Sequence, residues 1–166
     1  NWPVTPGHAG FQLLDLHDFP GQGTALVGIL DTFWDSKGLI TPEAFRKFCG
    51  PTVPLLRMRK RVFTTEDEFR GRAEVSHFGR TDIPDALPRW AIRDQRGGRI
   101  AAGEFARRKL VNGDLSPLGE IRASLAGVSA PAKLTVTVWV DGTDALNDWD
   151  IWVYPSSEEV LSLIHI

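Results

Sequence analysis

The chain has 166 residues, the size of one ordinary domain and short for a complete multidomain enzyme. It carries 42% hydrophobic and 24% charged residues, a composition that folds, and a net charge of -2, which argues against a nucleic-acid footprint or binding to an acidic membrane. The single cysteine, Cys49, excludes an internal disulfide and a multi-cysteine zinc site, and no apolar run approaches the roughly 18 residues that span a bilayer.

The chain opens Asn1-Trp2-Pro3, without an initiator Met, a basic n-region or an apolar h-region, and reads as a piece of something longer. Phe11-Gln12-Leu13-Leu14-Asp15-Leu16 is a short apolar run bounded by turn residues, which predicts a strand buried on both faces. Phe19-Pro20-Gly21-Gln22-Gly23-Thr24 is a loop punctuated by Pro and Gly. Thr41-Pro42-Glu43 predicts a helix start, with Thr as N-cap, Pro at the first position and Glu at the positive end of the dipole. Ala44, Phe45 and Phe48 give that helix an apolar stripe, and Gly50-Pro51 stops it.

From Arg61 the texture changes to alternation. Phe69, Gly71, Ala73, Val75 and His77 share one face against Arg70, Arg72, Glu74 and Ser76. Trp90 and Ile92 alternate with Arg89, Ala91 and Arg93, and Gln95-Arg96-Gly97-Gly98 predicts a hairpin turn into Arg99-Ile100-Ala101-Ala102. Leu134, Val136, Val138 and Val140 alternate with Thr135, Thr137 and Trp139. Trp149, Ile151 and Val153 alternate with Asp150, Trp152 and Tyr154. About six or seven short strands with no helix signal among them predict an antiparallel β-sandwich of immunoglobulin-like size. Arg107-Arg108-Lys109 reads as a solvated turn. Leu161-Ser162-Leu163-Ile164-His165-Ile166 continues no strand pattern and resembles the translation of a transposon-type sequencing adapter from a metagenomic contig.

The polar residues that stand out are Asp15, His17, Asp18 and Gln22, at and just after the end of the first predicted strand. In a barrel or open α/β sheet, side chains at a strand's carboxyl end face the ligand. A carboxylate–His–carboxylate group there orients a sugar hydroxyl or holds a proton; alternatively Asp18 caps the turn and His17 is a loop histidine. No Ser/His/Asp order, phosphate loop or metal spacing is present, and Gly21-Gln22-Gly23 lacks the third glycine of a dinucleotide fingerprint. No metal and no cofactor is expected.

The segment from Gly10 through Asp15-Leu16-His17-Asp18-Phe19-Pro20-Gly21-Gln22-Gly23 to Gly28, followed by Phe33-Trp34-Asp35-Ser36-Lys37-Gly38, resembles the closing strand and loop of the catalytic barrel in glycoside hydrolase family two. This is the β-galactosidase, β-glucuronidase and β-mannosidase group. The resemblance implies residues 1–58 as the truncated end of a (β/α)8 barrel, with its last βα piece, and 59–155 as the immunoglobulin-like sandwich. Residues 156–166 are then a tail, partly non-native. It also implies a bacterial parent that hydrolyses β-linked sugars with retention, through two glutamates about 5–5.5 Å apart. Both would lie before Asn1. None of Glu43, Glu66, Glu68, Glu74, Glu104 and Glu120 matches a catalytic position, so no catalytic residue is assigned and the fragment is expected to be inactive.

The resemblance carries Asp15 and Asp18 over to the substrate-pocket wall, and His17 and Gln22 beside them complete the candidate substrate-binding group. Many members carry a tryptophan where this chain has Leu14; Trp34 is the candidate stacking platform in its place, or alternatively packs the loop onto the last helix. The implied partners are a carbohydrate substrate in the parent and the parent's remaining domains, with no nucleic acid and no membrane. The compartment stays open, with a periplasmic or secreted parent as one expectation. The rival reading is a freestanding immunoglobulin-like module binding carbohydrate or a partner. In that reading Trp139 and Trp152, opposite their strands' aliphatic stripes, are a stacking platform rather than contacts to a missing domain.

Overall fold

The computed structural model describes residues 13–23 and 26–156. One helix, α1 (Pro42–Cys49), precedes ten strands: β1 (Thr52–Met58), β2 (Val62–Thr64), β3 (Glu68–His77), β4 (Ile83–Ala86), β5 (Pro88–Asp94), β6 (Arg99–Glu104), β7 (Arg108–Leu110), β8 (Asp114–Ser124), β9 (Ala132–Val140) and β10 (Leu146–Tyr154). Strands β1-β3-β8 form one sheet, β2-β10-β9-β5-β6 a second, and β4-β7 a small two-stranded flap. All pairings are antiparallel except β2 with β10. The fold is the mainly-β, immunoglobulin-like sandwich that the alternation predicts.

Alternation places the core. On β3, Phe69, Ala73 and Val75 point between the sheets, and on β9 Leu134, Val136, Val138 and Val140 meet them; all are fully out of water. Ile92, Ile121, Ile151 and Val153 complete the layer. Asp94 builds the β5–β6 turn by accepting from the N–H groups of Arg96 and Gly98 at 2.8 and 2.7 Å, and Gly97 takes a positive φ of 83° there.

The sandwich begins earlier than residue 59. Strand β1 pairs with β3 from Thr52↔His77 to Met58↔Gly71, so residues 52–58 belong to it. Buried His77 fixes this corner: its ring nitrogens lie 2.8 Å from Thr52 Oγ1 and 2.9 Å from the Thr81 carbonyl oxygen.

Helix α1 forms as its cap requires. Thr41 Oγ1 accepts from the Ala44 N–H at 3.2 Å, and Pro42 sits where no intrahelical N–H bond is needed. None of its residues is buried. It is tethered to the sandwich through Lys47 Nζ, 2.6 Å from Asp148 on β10.

The strand expected over residues 11–16 is not formed over 13–16. Leu13, Leu14 and Leu16 are exposed, and the chain makes one parallel bridge, His17↔Leu30. No partner strand lies beside it among the described residues, and an apolar run without one is not a strand. Phe11 and Gln12 lie outside the described residues, as do Asn1-Trp2-Pro3, Gly10, Thr24 and the adapter-like 161–166.

Candidate functional site

The segment of residues 13–40 is built from polar bonds around one carboxylate. Asp18 is 6% exposed. The Gly28 N–H donates to its Oδ1 at 2.9 Å, and Lys37 Nζ donates to Oδ1 and Oδ2 at 2.9 and 3.1 Å. The same ammonium reaches the Leu26 carbonyl oxygen at 3.3 Å. The Asp18 N–H donates to Leu30 O at 3.0 Å, and the Leu30 N–H to Leu16 O at 3.1 Å. Gly28 is required by proximity: a Cβ on it would lie 2.4 Å from the His17 carbonyl carbon. The Lys37 ammonium, with the Gly28 N–H, holds the Asp18 carboxyl below its ordinary value of 3.8, so it stays ionised at neutral pH.

A second aspartate folds the distal turn. Asp31 Oδ1 accepts from the N–H groups of Phe33 and Asp35 at 2.8 and 2.9 Å, and the Trp34 N–H donates to Asp31 O at 3.1 Å. This puts Trp34 in the left-handed region, φ 71°, and lays its indole against the His17 imidazole, with centroids 4.5 Å apart and planes 17° from parallel. The structure therefore brings His17, Asp18 and Trp34 together. Asp15, half-buried with φ 61°, precedes them along the chain. Gln22 stands apart, exposed in the turn where its N–H donates to Phe19 O at 3.2 Å.

Lys37 and Gly28 are the residues that sequence reasoning missed. Both lay within the segment carrying the family resemblance, but no spacing rule joins an aspartate to a lysine 19 positions on. Chemically the arrangement is a tie. The oxygens of Asp18 already accept three hydrogen bonds, which leaves little capacity for a substrate hydroxyl.

Four glutamates of the sandwich lie beside arginines. Glu74 pairs with Arg57 at 2.8 Å, Glu68 with Arg70 and Glu120 with Arg122 at 2.6 Å each, and Glu104 lies 3.8 Å from Arg89. Every carboxylate shift resolved among the described residues is downward: Asp18, Glu43, Asp67, Asp82, Glu120 and Asp150. Among the described residues no group of three or more His, Cys, Asp or Glu could hold a metal ion, and no helix is long and apolar enough to cross a membrane.

Comparison with solved structures returns the sandwich. The sporulation control protein Spo0M from Bacillus subtilis is similar at 16% identity and a TM-score of 0.51, over 70% of this chain and 55% of that one. A putative β-galactosidase from Bacteroides fragilis is similar at 9% identity and a TM-score of 0.41, over 60% of this chain and 15% of that one. A β-glucuronidase from glycoside hydrolase family 2 gives 7% and 0.42, over 61% and 11%. At 16% identity the likeness to Spo0M is one of fold alone, and the chain spans only a part of each of these proteins. No curated protein matches the sequence. A family profile described as a domain of unknown function, DUF8488, matches residues 67–155. That match runs from the start of β3 through the end of β10 and covers more than half of the chain, and the protein belongs to the DUF8488 family.

Proposed function

We propose that this chain is the junction between the end of a catalytic barrel and the sandwich that follows it, in a retaining glycoside hydrolase resembling family two. In this reading the chain supplies scaffold and one edge of the substrate pocket, and the two glutamates reside elsewhere in the parent. The observation that carries the proposal is where apolar surface is left open. Leu14 is 79% exposed and Phe33 83%, and Leu26, Val27, Trp34 and Leu39 are all more than half exposed within residues 13–39. So many exposed large apolar side chains in one short segment are the mark of a surface made to be covered. A barrel's last strand, loop and helix are covered by neighbouring barrel strands. Aspartates engaged in ties and carboxylates held ionised suit a supporting role.

The test uses β-linked nitrophenyl sugars. The chain alone is expected to give no rate above buffer. The parent protein, extended upstream of Asn1, is expected to hydrolyse one of them with the first-formed sugar retaining its anomeric configuration. Turnover by the isolated chain after removal of host enzymes, or inversion by the parent, overturns the proposal.

A further inference from the structure

The outer face of the five-stranded sheet carries a depression of about 410 Å³ lined by Arg89, Ala91, Arg93, Arg99, Glu104 and Trp139, among others. Register alone builds it. Trp139, Arg89 and Glu104 are cross-strand neighbours in one row, Thr137, Ala91 and Ala102 in the next, and Thr135, Arg93 and Arg99 in the third. Small side chains in the middle row leave a bay between two rows of large ones. The outer rows are about 13 Å apart along the strands, at roughly 3.3 Å per residue.

Each wall has a distinct chemistry. Trp139 Nε1–H donates to Asp141 Oδ1 at 3.3 Å, and Arg89 Nη2 lies 3.4 Å from Asp141 Oδ2, so the indole and guanidinium share an anchor. Arg89 Nε is buried with no hydrogen-bond partner, Glu104 being 3.8 Å away. At the far wall Arg93 faces Arg99 directly across the ladder, where like charges disfavour the pairing. Arg93 donates to the Gly97 carbonyl oxygen at 3.1 Å, and neither arginine pairs with a carboxylate among the described residues. The bay thus ends in uncompensated positive charge.

We propose that this bay binds a uronate-bearing saccharide. The Trp139 ring takes the apolar face of one pyranose, and Arg93 with Arg99 takes the carboxylate of the next. Glu104 on the rim, with Asp141 and Thr137 beside it on neighbouring positions, accepts hydrogen bonds from the sugar hydroxyls. Two carboxylates on the rim repel a phosphate-dense chain but suit a ligand with sparse negative charge and many hydroxyls, and this selects an acidic sugar over a nucleic acid. The proposal does not depend on the barrel-junction reading.

The experiment is isothermal titration of the full chain with trisaccharides of galacturonate, glucuronate and mannuronate. Each is run beside its neutral hexose counterpart, with a single-stranded DNA hexamer as the competing class. At least one uronate trisaccharide is expected to bind about tenfold or more tighter than its neutral counterpart, a difference of about 1.4 kcal/mol. R93Q combined with R99Q is expected to remove that advantage without lowering Tm, since it relieves a like-charge pair. W139A weakens both partners, and W152A, outside the bay, changes neither. No uronate binding at millimolar concentration, an advantage that survives the double substitution, or tighter binding of the DNA hexamer overturns the proposal. A failure here leaves the glycoside assay untouched, because that assay reads turnover and this one reads binding.

Discussion

Residues 13–39 and the sandwich from Thr52 onward treat apolar side chains in opposite ways. In the sandwich two sheets face each other, so Phe69, Leu110 and Ile121 are fully withdrawn from water. In the N-terminal segment no second layer is present among the described residues, and Leu14, Phe33 and Trp34 remain in water. What holds that segment is polar: Asp18 with Lys37 and Gly28, and Asp31 with Phe33 and Asp35. A hydrogen bond to a charged group contributes about 1.5–3 kcal/mol, much as one buried large side chain does, but the segment has only a few such ties whereas the sandwich adds many buried side chains together. Order held by a few polar ties and order held by apolar burial are separable, and substitutions distinguish them.

The largest expected effect is in the core. Phe69→Ala should destabilise the sandwich by about 3–5 kcal/mol in denaturant unfolding, while Leu14→Ala should stay within about 0.5 kcal/mol. Comparable losses for the two would erase the distinction. Next comes Gly28→Ala, which drives a Cβ into the His17 backbone. Protease cleavage within residues 13–38 should accelerate by roughly tenfold or more, with the Tm of the sandwich unchanged. A fall in that Tm would mean that the segment and sandwich unfold together.

Acid gives the smallest and most graded effect. In the sandwich Asp67 is held below its ordinary value of 3.8 chiefly by Lys60, and Asp150 chiefly by Lys133. The unfolded chain therefore takes up protons before the folded one as pH falls. Their contribution is complete above the unfolded pKa and is lost as pH drops through the folded values. Tm should be level from neutral pH to about 5 and decline below about 4. A rise in Tm over that lower range would contradict the assignment of these pairs.

Legibility in the sequence followed the same divide. Strand β9 could be read directly, because Leu134, Val136, Val138 and Val140 keep one phase and face one core. The cap of α1 could be read because Thr41 and Pro42 act locally. Strand β8, the longest, was missed. Its register with β3 shifts between Ala73↔Gly119 and Glu74↔Pro117, leaving Leu118 as the extra residue. The buried side chains thus change from even positions, Ser116 and Leu118, to odd ones, Ile121 and Ala123. No single period-two pattern runs through such a strand, and Pro117 is tolerated because β8 lies at the edge of its sheet. Strand β1 fell within the 1–58 piece that the resemblance implies, and Val53-Pro54-Leu55-Leu56, apolar at every position, shows no period of two that would mark it as part of the sandwich. Its outward Val53 and Leu55 are buried too, packed with Leu115. In the candidate site, Asp18 and Trp34 could be picked out as polar and aromatic residues in a Gly-punctuated loop. Their roles could not, because they depend on Lys37 and His17, which only the closed loop brings to them.

Native-state hydrogen exchange on the full chain measures the two kinds of order together. The account expects the ladder amides of β3, β5 and β9 to exchange only through global unfolding, and to slow or quicken together with Phe69→Ala. The amides of Asp18, Gly28 and Leu30 are expected to exchange orders of magnitude faster and to ignore that substitution. Equal protection of Asp18, Gly28 and Leu30 with the β9 amides, and an equal response to Phe69→Ala, would contradict it. The N-terminal segment would then be part of the sandwich's cooperative unit rather than a separately ordered piece held by its own polar bonds.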